Sequence, residues 1–589
     1  MADIPRRDRR PIAVSRRAVL RAATATSAAA ALATLVQSGA AATPVDPEPT
    51  TRADRGDVFS VDREGVEAVF PQSVASGGPT PGGVLCWTRI APDAYDPATD
   101  LGVEVAMDDT FTDVVFRGVV PAEAVSPDDD YCVTVDLDGL LAADRHYCFR
   151  FVYRGDASRV GRCRTLPAPD ASPARLALGV LSCNNYRHGY FGALAHVASE
   201  DLDYLLHLGD FIYEYGGETD VPGRDIQLPS GHDLAWTLAD FRHLHRTYRS
   251  DPFMQRALER HTLLHVWDDH EIVNDRWWNA ETDAPETTDH PMGGDPEFMR
   301  QLSVAGITAM TEYVPSRILE PDGRLATDRI HDEVRLYRSL RFGDLATLFL
   351  TDERLYRSPP PVEDTEDGRP DSTPPWGPGT AGDPTRTMLG AAQRRWFVDG
   401  VTESDATWKL WGNEVLVSPL SFGKGDSQRQ NFDAWDGFRF ERRYLLREFA
   451  RAGVRNLVTL TGDMHSYLVG YLLDTSDGLD SPAALPPPED RVGVEFMTPA
   501  VSSDNLAALG AIPASLGERL ADHVVRAQNP HLAWFNSSRW GYTTLELTPE
   551  DCVWTAWGVD RTENSADAEK TLLRRFRVPE GRVELERLD

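Results

Sequence analysis

Four short polar clusters in the sequence each close an apolar run, and their side chains are of the kinds that bind metals and move protons. Ser182-Cys183-Asn184 follows the run 176–181, and Gly209-Asp210-Phe211-Ile212-Tyr213-Glu214 follows 204–208. Asp268-Asp269-His270-Glu271 follows 263–267, with Asn274-Asp275 just beyond, and Thr461-Gly462-Asp463-Met464-His465 follows 456–460. One such cluster alone reads equally well as a turn, a buried thiol or a helix cap. Four in one order, each at the end of an apolar strand, read as a single site, because α/β sheets gather ligands outside the carboxyl ends of their strands. Thiolate, phenolate, carboxylate and imidazole converging there are what a two-metal hydrolytic centre needs.

The elements that must position these groups are also visible. Further apolar strands are expected at 345–350 and 408–411, with an amphipathic helix over 389–404 between them, the texture of an α/β layered domain. That domain is expected over 173–550, with a surface insertion rich in Pro, Gly, Asp and Thr at 358–387 and a C-terminal extension at 551–589. A Pro-rich linker, residues 166–173, separates it from residues 61–167, where short β-type runs with turn signals and no helical periodicity predict a small β-sandwich. Within that sandwich Cys148 and Cys163 flank a hairpin. A turn over Arg154-Gly155-Asp156-Ala157, centred between Gly155 and Asp156, would set the two cysteines directly opposite, so a disulfide is expected there. Cys183 is expected to stay unpaired, because a metal needs its thiolate.

The chain has 589 residues, more than one ordinary core, and its 41% hydrophobic content suits a globular protein. A net charge of −32 argues against nucleic acid or an anionic membrane as a broad electrostatic partner. The N-terminus carries Ser15-Arg16-Arg17-Ala18-Val19-Leu20-Arg21, an Ala-rich stretch and then Ser38-Gly39-Ala40-Ala41-Ala42. This pattern resembles a twin-arginine signal, so residues 1–42 are read as a cleaved export peptide and the mature protein as secreted by that route. No later segment has the ~18 apolar residues needed to span a bilayer.

Longer motifs carry a family resemblance across about residues 70–545. They include Phe70-Pro71-Gln72-Ser73-Val74-Ala75-Ser76-Gly77, the run 202–215, and Trp267-Asp268-Asp269-His270-Glu271-Ile272-Val273-Asn274-Asp275. Thr351-Asp352-Glu353-Arg354, Leu389-Gly390-Ala391-Ala392-Gln393, Trp435-Asp436-Gly437-Phe438 and the run 461–465 extend the match. The chain resembles the PhoD-like alkaline phosphatase/phosphodiesterase family of the calcineurin-like metallophosphoesterases. The resemblance implies an α/β fold, a layered metallophosphatase β-sandwich flanked by helices, preceded by a small all-β, fibronectin III-like domain. It implies that Cys183 and Tyr213 bind a ferric ion and that Asp210 bridges it to a second metal. Asp269 fills the slot of the superfamily's Asn, and His270 serves the leaving group. Asp463 replaces one His of the superfamily's Gly-His-x-His, His465 keeps the other, and Asn413 stands where another His ligand would be. Oxygen ligands in place of His favour Ca²⁺, or Mg²⁺, over Zn²⁺, in keeping with the calcium reported for the family. Asp268 is read as a ligand or a neighbour of the ligands, and Asn274 as a neighbour or a helix-start cap. Cys183 is followed by Asn184 where Gln is common, and Met464 replaces a smaller residue.

The activity so implied is hydrolysis of a small phosphoester or phosphodiester by metal-activated hydroxide, with His270 protonating the leaving alkoxide. No positioned His–Asp pair accompanies Ser182 or Ser466, so a serine nucleophile is not expected. Phospholipase D-type cleavage on the same core is an alternative. A non-catalytic secreted binding protein is another, and a missing ligand residue would favour it; none is missing.

Overall fold

The computed structural model describes residues 44–50, 56–318, 325, 330–359, 383–422, 431–474, 485 and 487–589. The expected export peptide and the bulk of the 358–387 insertion lie outside them. At the base of that insertion Ser358 N–H donates to Thr387 O at 2.8 Å.

Strands Leu176–Leu181, Tyr204–Leu208 and Thr262–Val266 lie side by side in parallel, with Leu181 opposite His207 and His207 opposite His265. They form the middle of a ten-stranded sheet. A second, seven-stranded sheet holds Ala346–Leu350, Trp408–Asn413 and Leu457–Thr461, again parallel, with Asn413 opposite Thr461. The sequence runs that form these strands are apolar throughout because both faces of each sheet are covered. Alternate residues divide between the faces. Tyr204, Leu206, Leu208, Leu264 and Val266 meet Leu348, Leu350, Val458 and Leu460 between the two sheets. Leu205 and Leu263 point the other way, into a core shared with the helices Gly192–Ser199, Leu238–Arg249, Pro252–Arg260 and Pro296–Tyr313. Leu457 and Leu468 face a third core under the helices Gly390–Glu403 and Arg439–Ala452. The layers therefore run helix, sheet, sheet, helix. Each fully buried Leu contributes ~1.5–3 kcal/mol.

The segment expected as a C-terminal extension supplies three strands of the ten-stranded sheet, the last of them the short Glu586–Arg587. Asp551–Val559 pairs with Trp540–Leu547, and Lys570–Pro579 pairs with Asp551–Val559. At the other edge Val74–Thr80, Gly83–Arg89 and Cys132–Asp136 continue the sheet, joined to it through Leu263 opposite Gly77. These three strands pack against a six-stranded sheet built on Leu101–Ala106, Val114–Val120 and His146–Tyr153, and Val103, Phe149, Cys86 and Cys163 fill the space between.

The expected Cys148–Cys163 disulfide is not present. Cys148 stands opposite Arg162 and Cys163 opposite Tyr147, and all six cysteines are free. The turn falls one residue earlier than expected. Tyr153 pairs with Asp156, and Arg154 and Gly155 have φ of 54° and 81°, as a two-residue hairpin turn of the favoured hand requires. With the turn centred there, the pairing at Cys148 is one residue out of the expected register, which sends the two side chains to opposite faces of the sheet. No helix among the described residues is long and apolar enough to cross a membrane.

Candidate metal centre

The strand registers bring the polar clusters to one edge of the two sheets. Cys183 N–H donates to Gly209 O at 3.2 Å and Asn184 N–H to Asp210 O at 3.1 Å, so the first two clusters run together beyond the strand ends. The facing sheet approaches closely enough that a Cβ on Gly462 would sit 2.5 Å from Ser182 Oγ. Gly209, with φ of 94°, has the same constraint, since a Cβ there would lie 2.6 Å from the backbone nitrogen of Asp268. Cys183, Asp210, Asp275, Asp463 and His465 all have φ between 53° and 63°, the left-handed region that non-glycine residues avoid. Such backbone costs of order 1–3 kcal/mol at each position and is characteristically held at functional sites by the surrounding structure.

Three groups of metal-capable side chains result. Ligating atoms of Cys183, Asp210 and His465 lie within 4.8 Å of one another, as do those of Asp210, Asp269 and His270, and those of Asp269, Asp275 and Asp433. Asp210 belongs to the first two groups, the position of a residue that bridges two cations. Tyr213 completes the first: its Oη donates to Asp210 Oδ2 at 2.8 Å, lies 3.2 Å from His465 Nε2, and accepts from Ser503 Oγ at 2.7 Å. His465 Nδ1 is 2.5 Å from Asp504 O, so that nitrogen carries the proton and Nε2 presents its lone pair to the cleft.

The electrostatics ask for cations. Burial raises the Cys183 thiol and the Tyr213 phenol well above their ordinary values, and the charge of Asp210 adds to both. Burial also pushes Asp210 and Asp463 far up, and Asp268 to about 7, each reinforced by neighbouring carboxylates. One oxygen of Asp210 and one of Asp268 are buried without a hydrogen-bond partner. The Cys183 thiol, the Tyr213 phenol and Asp210 held in this way keep their protons unless a cation replaces them. The donor set therefore fits metal: sulfur, phenol and imidazole on one side of Asp210, carboxylates on the other.

Several residues of this arrangement carry no expected role. Glu271 accepts backbone N–H groups from Asp210 at 3.1 Å, Phe211 at 2.7 Å and Asp268 at 2.8 Å, and so clamps two of the loops together. Arg354 is fully buried. It pairs with Asp268, with Asp433 at 2.6 Å, with Asp463 at 3.3 Å and with Asp269 at 3.6 Å. Against the cost of burial, Arg354 and His270 hold Asp269 below the usual carboxylate range. Asp433 also pairs with Arg357. Arg354 lies in a motif singled out from the sequence; Asp433 stands in no polar cluster after a strand and offers no comparable signal.

Asn413 and Asn274 are each held by hydrogen bonds to other parts of the chain. Asn413 is at the expected strand end, where its Oδ1 accepts from Trp435 Nε1 at 2.9 Å and its Nδ2 donates to Val415 O. Asn274 donates its backbone N–H to Glu214 at 2.9 Å and its side-chain amide to Asp289. Asp268 lies outside the three groups, buried and paired to Arg354.

Two facing sheets with helices outside, and metal-capable groups gathered where the strands end, define a metallophosphatase-type architecture. The PhoD-like phosphatase family matches residues 178–556, and the N-terminal domain of PhoD-like phosphatases matches residues 56–167. Alkaline phosphatase D of Bacillus subtilis (strain 168) is 30% identical over 488 residues, covering 82% of this chain and 76% of that protein. A solved structure described as the structure of PhoD has a TM-score of 0.73 at 27% identity, over 89% of this chain and 92% of that one. The chain belongs to the PhoD-like phosphatase family and is a phosphoester hydrolase.

Proposed function

We propose that the protein is a secreted phosphatase/phosphodiesterase that hydrolyses phosphate esters at a ferric–calcium centre. The observation that carries this is the asymmetry about Asp210, with Cys183, Tyr213 and His465 on one side and Asp269 with further carboxylates on the other. The first set would hold Fe³⁺ and the second would hold Ca²⁺. Bound there, the metals would supply charge for the phosphoryl oxygens and lower the pKa of water. Asp463 would serve the calcium side, while Asn413 would have to release Trp435 before it could ligate.

The rest of the reaction falls to the chain's own residues. His270 Nδ1–H donates to Glu214 Oε2 at 2.7 Å, which leaves Nε2 to face the cleft. Burial disfavours the imidazolium, but Glu214, Asp210 and Asp269 outweigh it and raise the His270 pKa well above its ordinary value. A protonated Nε2 can then give its proton to the leaving alkoxide as the P–O bond breaks, and the ring ends neutral. Cleft walls that bury Asp210, Asp269 and Tyr213 keep bulk water from competing with these contacts.

The N-terminal pattern supports twin-arginine export of a folded, metal-loaded chain, with residues 1–42 removed, residues 61–167 forming the β-sandwich domain and 173–550 the catalytic domain. Metal analysis of the purified protein, paired with activity on a monoester and a diester, tests the proposal. Stoichiometric iron with calcium-dependent activity is expected, and calcium chelation should abolish turnover reversibly while iron stays bound. Stoichiometric zinc with activity untouched by chelation would overturn it.

A further inference from the structure

The metal-capable groups occupy one end of the parallel strands. At the opposite end, where Thr262–Val266 begins, a cavity of about 800 Å³ opens between the β-hairpin of residues 146–164 and the helices Gly192–Ser199 and Pro252–Arg260. One strand length, about 17 Å, separates it from the Asp268–Asp269 loop.

Its wall carries His146, Arg162 and Arg260. Arg162 is half-buried, with Nε 3.1 Å from His146 Nδ1 and a terminal nitrogen 2.9 Å from His146 Nε2. Arg164 Nη1 lies 3.0 Å from the same Nε2, but its charge is answered by Asp144 and Asp203. Among the described residues no carboxylate lies within ion-pair distance of Arg162 or Arg260. Nearby acids are otherwise engaged. Asp108 accepts backbone N–H groups of Thr110, Thr112 and Asp113 in its own loop, and Glu259 is bound by Ser73 at 2.6 Å and by Arg159 and Arg256 at 3.4 Å. Asp201 is exposed and pairs with Arg175. Asp109 also lines the wall.

The two guanidinium groups thus share a recess with little to neutralise them, in a chain whose net charge is −32. Burial, then Arg162, Arg164 and Arg260, push His146 down to about 3, so its ring is neutral and accepts from a guanidinium at one of its two nitrogens. Burial and repulsion by Arg260 lower Arg162 as well. Like charges on one recess repel, a bound anion relieves that repulsion, and guanidinium forks match the oxygens of tetrahedral anions.

We propose that this cavity is an oxyanion-binding subsite in which Arg162 and Arg260 hold a phosphoryl-type group, at the opposite end of the strands from the hydrolytic centre. Sulfate is a suitable probe because the enzyme does not hydrolyse it. Full-length protein carrying isotope-labelled histidine is titrated with sulfate against chloride at constant ionic strength, and the His146 resonances are followed. A saturable shift is expected, with its midpoint weakened at least about tenfold by Arg260→Ser and the response lost in Arg162→Ser/Arg260→Ser. Arg260 is exposed, so the single variant reads the site even if the double variant is unstable. No saturable shift, or the same midpoint in Arg260→Ser, overturns the proposal. Kinetics separate the two sources of the group. A raised KM for polyphosphate in Arg260→Ser, with KM for nitrophenyl phosphate unchanged, assigns it to a chain-like substrate, and equal KM values for both assign it to a free anion.

Discussion

His270 Nδ1 lies 2.7 Å from Glu214 Oε2, and the other oxygen of that carboxylate accepts the Asn274 backbone N–H at 2.9 Å. Glu214 is thereby fixed on both sides and sets the tautomer and direction of the imidazole. Glu214→Gln keeps the shape but removes the charge that favours the imidazolium. It should lower kcat about 10–100-fold, the usual cost of losing such a partner, and His270→Ala about 10²–10⁴-fold. Both losses should be larger for poor alkoxide leaving groups than for nitrophenolate, with iron content unchanged. Equal losses across a leaving-group series would reduce both residues to structural roles.

The parts of this arrangement legible in the sequence are those carried by short-range pattern. Each buried parallel strand is an apolar run, and a polar cluster after it announces the site, which is why Cys183, Asp210, Asp269 and His270 fall together as expected. What escaped depends on contacts between distant segments. Asp433 reaches the cleft because Arg354 and Arg357 hold it, a relation with no local signature. Glu271 reads locally as a first-turn helix acid, yet it spends its carboxylate on three backbone N–H groups from two loops. The hairpin register at Cys148 turned on one residue of turn geometry, which composition alone does not settle. The strands at Asp551–Val559 and Lys570–Pro579 were hidden as an extension because antiparallel pairing at a sheet edge leaves no motif.

Tyr213 and Cys183 are the residues whose loss should be seen by colour. Phenolate and thiolate bound to ferric ion give visible charge-transfer bands, so Tyr213→Phe and Cys183→Ala should each bleach or shift the absorption of the purified protein. Tyr213 Oη also bonds Asp210 and Ser503, and its loss should loosen iron retention during dialysis. An unchanged spectrum in Tyr213→Phe would remove this residue from the metal centre.

Three histidines remote from the cleft predict the acid limit of stability. His245, His261 and His531 are buried, and burial holds their pKa values at about 3, 4 and 4 against an ordinary 6.5. Each is neutral in the fold, whereas the unfolded chain takes up a proton near 6.5. Their contribution is therefore complete above about pH 6.5 and is lost as pH falls toward 3–4, on the order of 3 kcal/mol for each group. Tm measured in saturating calcium should fall steadily from pH 6.5 to 5.5, above the range where ordinary carboxylates titrate. A flat Tm over that interval would contradict the assignment of these three rings as neutral.

Arg354 holds four carboxylates, Asp268, Asp269, Asp433 and Asp463, and is itself fully buried. Arg354→Met keeps much of the side-chain bulk but leaves those carboxylates with Arg357 as the remaining guanidinium paired within the group. Removing one partner from a buried ionic network costs about 3–5 kcal/mol, because the groups left behind are buried without compensation. The same carboxylates are the groups proposed to hold calcium, so added calcium should recover part of the loss. The Tm of Arg354→Met should therefore fall much further below wild type in chelator than in excess calcium, while the wild-type difference between the two conditions stays smaller. A variant whose deficit is the same in both conditions would separate Arg354 from the cation-binding carboxylates and leave it a purely structural ion pair.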